Sequence, residues 1–245
     1  MTMRNRIFSV DNPKSAKAQQ FRWLNAIHYM APHRLAGVGN MCPKASEGCK
    51  ALCLGEHSGH AAIIAAGKRT NSVRQSRREK ARRFMRSRDK YMRDVVRAVE
   101  LLVQRARREN TPLCVRMNGS TDIGWHGVGV QRQGKQFRNL FEAFPETQFV
   151  DYTKVAMRFA RQLPANYHLT FSRSETNETE CLELLGAGHN VAVVFTGVKP
   201  ATWHGYRVID GDQHDLRQLD PKGVVIGLSP KGRRAKRDKS GFVVR

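Results

Sequence analysis

The stretch that decides the fold is residues 191–195, VAVVF, five apolar residues in a row of which three are β-branched valines. A continuous apolar run of this length is typical of a strand buried on both faces, as in a parallel sheet covered by helices. Similar short runs recur on both sides of it from residue 111 onward. The sequence therefore predicts an α/β fold built on parallel strands.

Predicted strands and helices alternate along this part of the chain. The strands are expected at 112–117, 148–152, 168–171, 191–195, 206–209 and 224–228, and the helices at 135–144, 155–162 and 178–185. Such alternation is typical of βα units. We expect a partial or small parallel βα barrel, with a doubly wound open sheet as the alternative.

An Arg-rich segment precedes these strands. Residues 68–109 hold 16 Lys and Arg against 5 Asp and Glu, in a chain of 245 residues whose formal net charge is +22. Helical spacing of apolar residues predicts one buried helix face in its second half, formed by Val95, Val96, Val99, Leu102, Val103 and Ala106. The arginines of the first half are candidates for binding nucleic-acid phosphates: Arg74, Arg77, Arg78, Arg82, Arg83 and Arg86. A solvated helix face is the alternative.

Composition bounds the other expectations. With 40% hydrophobic residues, disorder throughout the chain is excluded. The absence of an apolar run of membrane-spanning length and of a signal-peptide core predicts a cytoplasmic protein without a membrane partner. We divide the chain into a lead-in at 1–40, a single βα domain at 41–230 and a basic tail at 231–245.

Three of the five cysteines form a cluster. Cys42, Cys49 and Cys53 lie in an N-terminal Cys-rich loop, 41–60, MCPKASEGCKALCLGEHSGH, whereas Cys114 and Cys181 stand alone and are expected to pack in the core. In a reducing compartment, clustered thiols are typical of metal ligands rather than of disulfides. The segment is therefore a predicted metal loop.

Two metal groups compete for these thiols. A four-iron, four-sulfur cluster bound by three cysteines would leave one iron open for a small molecule. Alternatively, His57 would complete a closed Cys3His zinc site. The spacing C-x6-C-x3-C is wider than the two to four residues typical of paired zinc cysteines, so it favours the iron-sulfur cluster.

Polar residues collect where three predicted strands end. Since the carboxyl ends of parallel strands meet at one edge of a sheet, these residues are expected to form a ligand site. The candidates for catalysis are Asn118, Asp122, Lys154 and Ser172, and those for binding a cofactor are Arg116, Gly119, Ser120, Asp151, Arg173 and Ser174. Helix capping is the alternative for Asp122 and Ser174.

The order of motifs between Asn40 and Phe195 carries a resemblance. The motifs are NMCPKASEGCKALCLGEHSG, then the Arg-rich helix, then CVRMNGSTDIGW, FVDYTK, NYHLTFSRSETN and NVAVVF. In this order they resemble the gene-product-eighty-eight-like family of phage and plasmid proteins, a resemblance that implies no particular reaction. The layout is also similar to that of radical S-adenosylmethionine proteins, whose cysteines are usually spaced C-x3-C-x2-C.

Two classes of function follow from these features. In the first, the chain is an iron-sulfur enzyme, similar to radical S-adenosylmethionine proteins, that binds S-adenosylmethionine at the open iron and acts on, or binds to, nucleic acid or nucleotide. In the second, zinc folds the cysteine loop of a nucleic-acid-binding protein without catalysis. The two differ in whether His57 is needed to retain the metal.

Overall fold

The computed structural model describes residues 7–10 and 13–245, which form a mixed α/β fold. The strands are β1 Phe8–Ser9, β2 Leu24–His28, β3 Leu113–Arg116, β4 Val130–Arg132, β5 Lys135–Phe137, β6 Gln148–Thr153, β7 Tyr167–Ser172, β8 Val191–Val194, β9 Thr202–Trp203, β10 Tyr206–Asp210 and β11 Val225–Leu228. The α-helices are α1 Pro13–Gln20, α2 Glu47–Ala51, α3 Leu54–His57, α4 Gly59–Ala62, α5 Ser72–Arg86, α6 Arg88–Arg108, α7 Leu140–Ala143, α8 Glu178–Gly186 and α9 Gly232–Lys236.

Nine strands form one sheet in the order β1-β2-β3-β6-β7-β8-β11-β10-β9. The seven strands from β2 to β10 are paired in parallel, and the short edge strands β1 and β9 are antiparallel to their neighbours. The prediction of a mostly parallel α/β sheet is therefore confirmed. From β2 to β8 each new strand is added on the same side of the last, unlike a doubly wound sheet, which grows toward both edges.

All six predicted strands are present, but two predicted helices are largely absent. The range 135–144 begins as β5, the second strand of a small hairpin with β4, and only α7 is helical there. The hairpin turn uses Gln133 and Gly134, both with positive φ, which suits a tight two-residue hairpin turn. The range 155–162 contains only a 3-10 turn, Ala156–Arg158.

The lead-in at 1–40 contributes a buried strand, next to the edge strand β1, that the sequence did not predict. All five residues of β2 are buried, and β2 lies between β1 and β3. Its sequence, LNAIH, shows no recognisable strand pattern of apolar residues, because two of its buried residues, Asn25 and His28, are polar. The ring of His28 is bonded to the Tyr91 hydroxyl at 2.6 Å and to the Met117 carbonyl at 3.0 Å.

The residues predicted to form the apolar face of a helix lie in α6. Every residue assigned to its apolar face is buried, and the helix packs against β3 and β4. The two isolated cysteines, Cys114 and Cys181, are fully buried, as expected. In the described ranges, no helix combines the length and the apolar character needed to cross a lipid bilayer.

The basic C-terminal segment 231–245 is folded against the domain. It contains α9, and its Ala235 and Val243 are buried against Leu52 of the Cys-rich stretch 41–60, which we call the cysteine segment. Val244 extends the sheet by pairing with Phe195, with backbone bonds from Val244 N to Val194 O and from Thr196 N to Val244 O. Apolar residues dispersed among the cations therefore give this segment its own packing surface.

Candidate functional site

A cavity of about 500 Å³ opens at the carboxyl ends of the parallel strands. Its wall includes residues at the end of, or directly after, β3, β6, β7, β8, β10 and β11, together with the cysteine segment and the C-terminal segment. Six strand ends thus converge on one cavity, as the parallel arrangement predicts. We call it the thiol cavity, because Cys42, Cys49 and Cys53 all line it.

The three thiols reach the cavity from a compact segment. Cys42 precedes α2, Cys49 lies in α2, and Cys53 is the N-cap of α3, so the predicted loop is largely made of short helices. The Cys42 sulfur accepts a hydrogen bond from the His33 amide at 3.3 Å. Burial raises the pKa of the Cys42 thiol to about 12 and that of Cys53 to about 11, so both are protonated at neutral pH in the metal-free protein.

The described residues contain no ready-made ion site. Within residues 7–10 and 13–245, no three His, Cys, Asp or Glu side chains are grouped closely enough to hold a metal ion. The thiols share the cavity wall without forming such a group, and loading a metal would require them to approach it and lose their protons.

Glu175 fastens the cysteine segment to the loop after β7. Its carboxylate accepts hydrogen bonds from the Gly48 amide at 2.7 Å and from the Ser46 hydroxyl at 2.8 Å. The Ser46 oxygen in turn accepts from the Cys49 amide, which caps α2. The position of Cys49 therefore depends on a carboxylate 126 residues away, and sequence analysis did not single out Glu175.

His57 lies outside the thiol cavity. Its Nε2 is 3.1 Å from an Nη1 nitrogen of Arg234, and its side chain lines a different cavity between α3 and α9. The fourth ligand that the zinc alternative requires is therefore turned away from the three thiols.

The loop after β3 is held by Asn118, a predicted catalytic residue. The Asn118 Oδ1 accepts from the Thr121 hydroxyl, the Ile123 amide and the Trp125 indole, and its Nδ2 donates to the Ile123 carbonyl and to Asp151. Because its amide is bonded within the protein, Asn118 is a positioning residue. Only glycine fits next to it, since a Cβ on Gly119 would lie 2.6 Å from the His28 carbonyl oxygen.

Asp122 lines the cavity, and its carboxylate also joins two neighbouring loops of the fold. Its carboxylate is ion-paired with Arg158 and accepts a 2.9 Å hydrogen bond from the Lys154 amide. The partner arginine is buried and also donates to the Thr153 hydroxyl. This ion pair fixes the loops after β3 and β6 relative to one another.

Lys154 and Ser172 form the polar pair that is freest to meet a ligand. The Lys154 ammonium donates to the Ser172 hydroxyl at 2.7 Å, and both side chains line the thiol cavity. No carboxylate forms an ion pair with Lys154 within the described part of the chain. An ammonium has three donors, so it retains capacity for an anionic group.

Arg116 lies on the cavity wall in a cluster of its own. Its guanidinium is ion-paired with Asp215 at 3.0 Å and stacks 4.4 Å from the centre of the Tyr152 ring. Burial lowers the pKa of Arg116, but Asp215 together with Tyr152, Tyr29 and Asp151 outweighs burial, so the pKa is raised and the guanidinium stays charged. Ser120 also lines the cavity, and its hydroxyl donates to the Met30 carbonyl.

Three predicted cofactor-binding residues are not on the cavity wall. Asp151 is buried beneath the β3 loop, where it accepts from Asn118 and from the Tyr167 hydroxyl, and burial raises its pKa to about 7. Arg173 donates to the carbonyls of residues 241 and 242, and the Ser174 amide donates to Asn177. Direct contact of these three with a cofactor is not supported by their placement, because their polar groups hold neighbouring loops.

Sequence analysis missed the far wall of the cavity. The lining residues that it did not select include Lys17, Asp212, His214, Asp215, Lys231 and Phe242. Several of them belong to the GDQHD sequence at 211–215, directly after β10, so the rule that selected the other strand ends would have found them. Lys17 and Phe242 carry no such signal, because distant parts of the chain bring them to the cavity.

The six arginines predicted to contact nucleic acid differ in their surroundings. Arg74 pairs with Glu56 at 3.1 Å, and Arg77 donates to the Gly55 carbonyl, so both hold α3 of the cysteine segment. The Arg82 guanidinium donates to the Ala36 carbonyl, and Arg83 pairs with Asp94. Of the remaining two, Arg78 is partly buried and Arg86 is exposed.

Helix α6 carries a row of exposed positive charges. Five cations on its outward face form what we call the α6 stripe: Lys90, Arg93, Arg97, Arg107 and Arg108. Each of them is exposed, and none forms an ion pair with another described residue. The stripe is thus available to external anions.

Comparison with known proteins gives one family. Neither the search of curated proteins nor the search of solved structures found a match. The family model described as Gene product 88 matches residues 6–245, which include the cysteine segment, all the strand ends of the thiol cavity and the C-terminal segment. Because this match extends over nearly the whole chain, the protein belongs to the Gene product 88 family.

Proposed function

We propose that this protein is an iron-sulfur enzyme whose four-iron cluster is bound by Cys42, Cys49 and Cys53 and whose thiol cavity binds S-adenosylmethionine. The observation that carries the proposal is that all three thiols line the one cavity, of about 500 Å³, to which six parallel strand ends contribute. A cavity of this volume is suited to a cofactor-sized molecule. The strand order from β2 to β8 also fits the partial barrel that we expect for such an enzyme.

The position of His57 favours an open cluster over a closed zinc site. Three protein ligands leave one coordination position for a small molecule, whereas a structural zinc ion needs a fourth ligand. His57, the candidate fourth ligand, is bonded to Arg234 in a separate cavity. When bound, a cluster with an open iron supplies electron transfer to a molecule held at that iron.

The chain's own residues would bind and orient that molecule. Lys154 and Ser172 offer an ammonium and a hydroxyl to its anionic group, and Arg116, which lines the same cavity, offers a charged guanidinium edge. Asn118 and Asp122 keep the β3 loop in place, and Gly119 allows that loop to approach β2 closely. Phe242 and Leu52 supply apolar wall that excludes water from the polar contacts.

Metal analysis of oxygen-free preparations tests the proposal. We expect about four iron atoms and four acid-labile sulfides per chain in the unmodified protein, with a brown colour that dithionite bleaches. Cys49→Ala should lose this iron, while the control Cys181→Ala, which removes a thiol from the core, should retain it. His57→Ala should also retain the iron.

Two results would overturn this assignment. Metal content that is unchanged in Cys49→Ala would show that the thiols are not ligands. One zinc per colourless chain, lost in His57→Ala, would instead support the Cys3His protein without catalysis.

We further propose that the α6 stripe binds nucleic acid. Its five unpaired cations face outward on a helix of 21 residues, so they can neutralise phosphates along one side of a strand. Arg93→Gln with Arg97→Gln should reduce the slope of log affinity against log salt by about two, since each phosphate contact contributes about 0.9. Arg161→Gln with Arg207→Gln, at two exposed sites outside the stripe, is the control. Equal salt slopes for the Arg93/Arg97 and Arg161/Arg207 variants would contradict the proposal.

A further inference from the structure

A second cavity, of about 480 Å³, lies between α3, α4 and α9. Three of the residues that line it are arginines, namely Arg74, Arg233 and Arg234, and a fourth is His57. No carboxylate among the described residues 7–10 and 13–245 lines it. We call it the arginine cavity.

The positive charge of this cavity is only partly balanced. Arg74 is paired with Glu56, which lies behind the wall, at 3.1 Å. Arg233 and Arg234 form no ion pair with any residue in the described ranges. Two guanidinium groups that share one concave surface repel each other, and a concave surface of one sign concentrates counterions of the other.

The donors of the cavity are partly fixed in place. Arg74 donates to the carbonyls of Ala61 and Glu56, which holds its side chain while leaving further N–H groups free. The Arg234 guanidinium is held by the His57 ring. Burial lowers the pKa of His57, so the ring is neutral at pH 7 and accepts this hydrogen bond.

The arginine cavity and the thiol cavity share two walls. In α3, Leu54 lines the thiol cavity while His57 lines the arginine cavity, and in α9 Ala235 and Arg234 divide in the same way. The two helices are tightly packed, because a Cβ on Gly232 would lie 2.4 Å from the His57 carbonyl oxygen. The two cavities are therefore separated only by the short helices α3 and α9.

We propose that the arginine cavity binds a phosphate group, carried either by a free nucleotide or by a nucleic-acid strand. Guanidinium groups bind phosphate through paired, charge-assisted hydrogen bonds, which explains a gathering of arginines without carboxylates. The site is independent of the metal at the thiols and of the α6 stripe.

The test compares two variants with the same change of charge. Arg233→Gln with Arg234→Gln removes the unbalanced cations, and Arg161→Gln with Arg207→Gln removes two exposed cations that line neither cavity and lie outside the α6 stripe. All four arginines are exposed, so both proteins should fold. Affinity is measured for adenosine monophosphate by calorimetry and for a labelled single-stranded oligonucleotide by anisotropy, with metal content determined on the same samples.

We expect the Arg233/Arg234 variant to lose at least about tenfold in affinity for adenosine monophosphate, since charge-assisted hydrogen bonds contribute this much or more. The Arg161/Arg207 variant should bind both probes as the unmodified protein does. A matching loss for the oligonucleotide would assign the cavity to a strand phosphate, and a loss confined to the nucleotide would assign it to a free one.

Equal affinity of all three proteins for both probes would overturn the proposal. Metal content reports separately on the thiol cavity. A protein that lacks iron but shows the Arg233/Arg234 effect would refute the iron-sulfur function and leave the phosphate site standing.

Discussion

Asp151→Asn should change how the stability of this protein depends on pH. Burial raises the pKa of Asp151 to about 7, whereas a carboxyl group in an unfolded chain has a pKa of about 3.9. The folded protein therefore holds a proton that the unfolded chain has released over the intervening range. Its contribution to stability is fully present below about pH 4 and is lost as the pH rises through about 7.

The size of the effect follows from this shift. Each pH unit between the two pKa values is equivalent to about 1.4 kcal/mol, so two units, from about pH 5 to about pH 7, amount to about 3 kcal/mol. Asparagine does not titrate in this range. Relative to Asp151→Asn, the unmodified protein should thus lose about 3 kcal/mol of unfolding free energy between about pH 5 and about pH 8.

Urea denaturation of both proteins at a series of pH values measures this difference. The lost hydrogen bonds from the Asn118 amide and the Tyr167 hydroxyl add an offset that is nearly constant with pH, so the slope is the diagnostic quantity. Asp89→Asn, at an exposed site in the first turn of α6, is the control and should keep the slope of the unmodified protein. Parallel curves for the unmodified protein and Asp151→Asn would refute the assignment of a protonated carboxyl group beneath the β3 loop.

Two further substitutions test the walls of the thiol cavity. Gly119→Ala should lower the unfolding free energy by about 1–3 kcal/mol in the same denaturation assay, because the added Cβ would overlap the His28 carbonyl oxygen. Gly127→Ala is the control and should be nearly neutral, since no atom lies within 4 Å of its added Cβ. Glu175→Ala should cost about 2 kcal/mol and speed proteolytic cleavage within residues 41–60, because it releases Gly48 and Ser46, and the exposed Glu183→Ala should do neither. Equal cleavage of the two glutamate variants would show that Glu175 does not hold the cysteine segment.

Elements with a strong local pattern could be predicted from the sequence alone. The six predicted strands correspond to β3, β6, β7, β8, β10 and β11. The six residues that helical spacing assigned to the apolar face of α6 are all buried. The prediction of a helix at 135–144 was largely wrong, because the turn at Gln133 and Gly134 joins β4 to β5 in a hairpin that helical spacing does not reveal. The strand β2 was missed because its buried Asn25 and His28 interrupt the apolar run.

The candidate site could be predicted in part, for a related reason. The carboxyl ends of parallel strands converge by construction, so Arg116, Lys154 and Ser172 could be selected before their contacts were known. That rule does not say which side chains turn inward. Asp151 and Asn118 are hydrogen-bonded to each other beneath the β3 loop, whereas the Lys154 ammonium keeps N–H donors that are free for a ligand.

The sequence by itself determined the strand pattern, the buried face of α6 and the density of thiols, because each of these depends on residues that are near neighbours in the chain. Only the tertiary structure decided what those residues face. It turned His57 away from the thiols, used Arg74 and Arg77 to hold the cysteine segment, and folded the basic C-terminal segment into the wall of both cavities. These outcomes depend on contacts between distant parts of the chain, and packing and charge pairing across the whole fold select them.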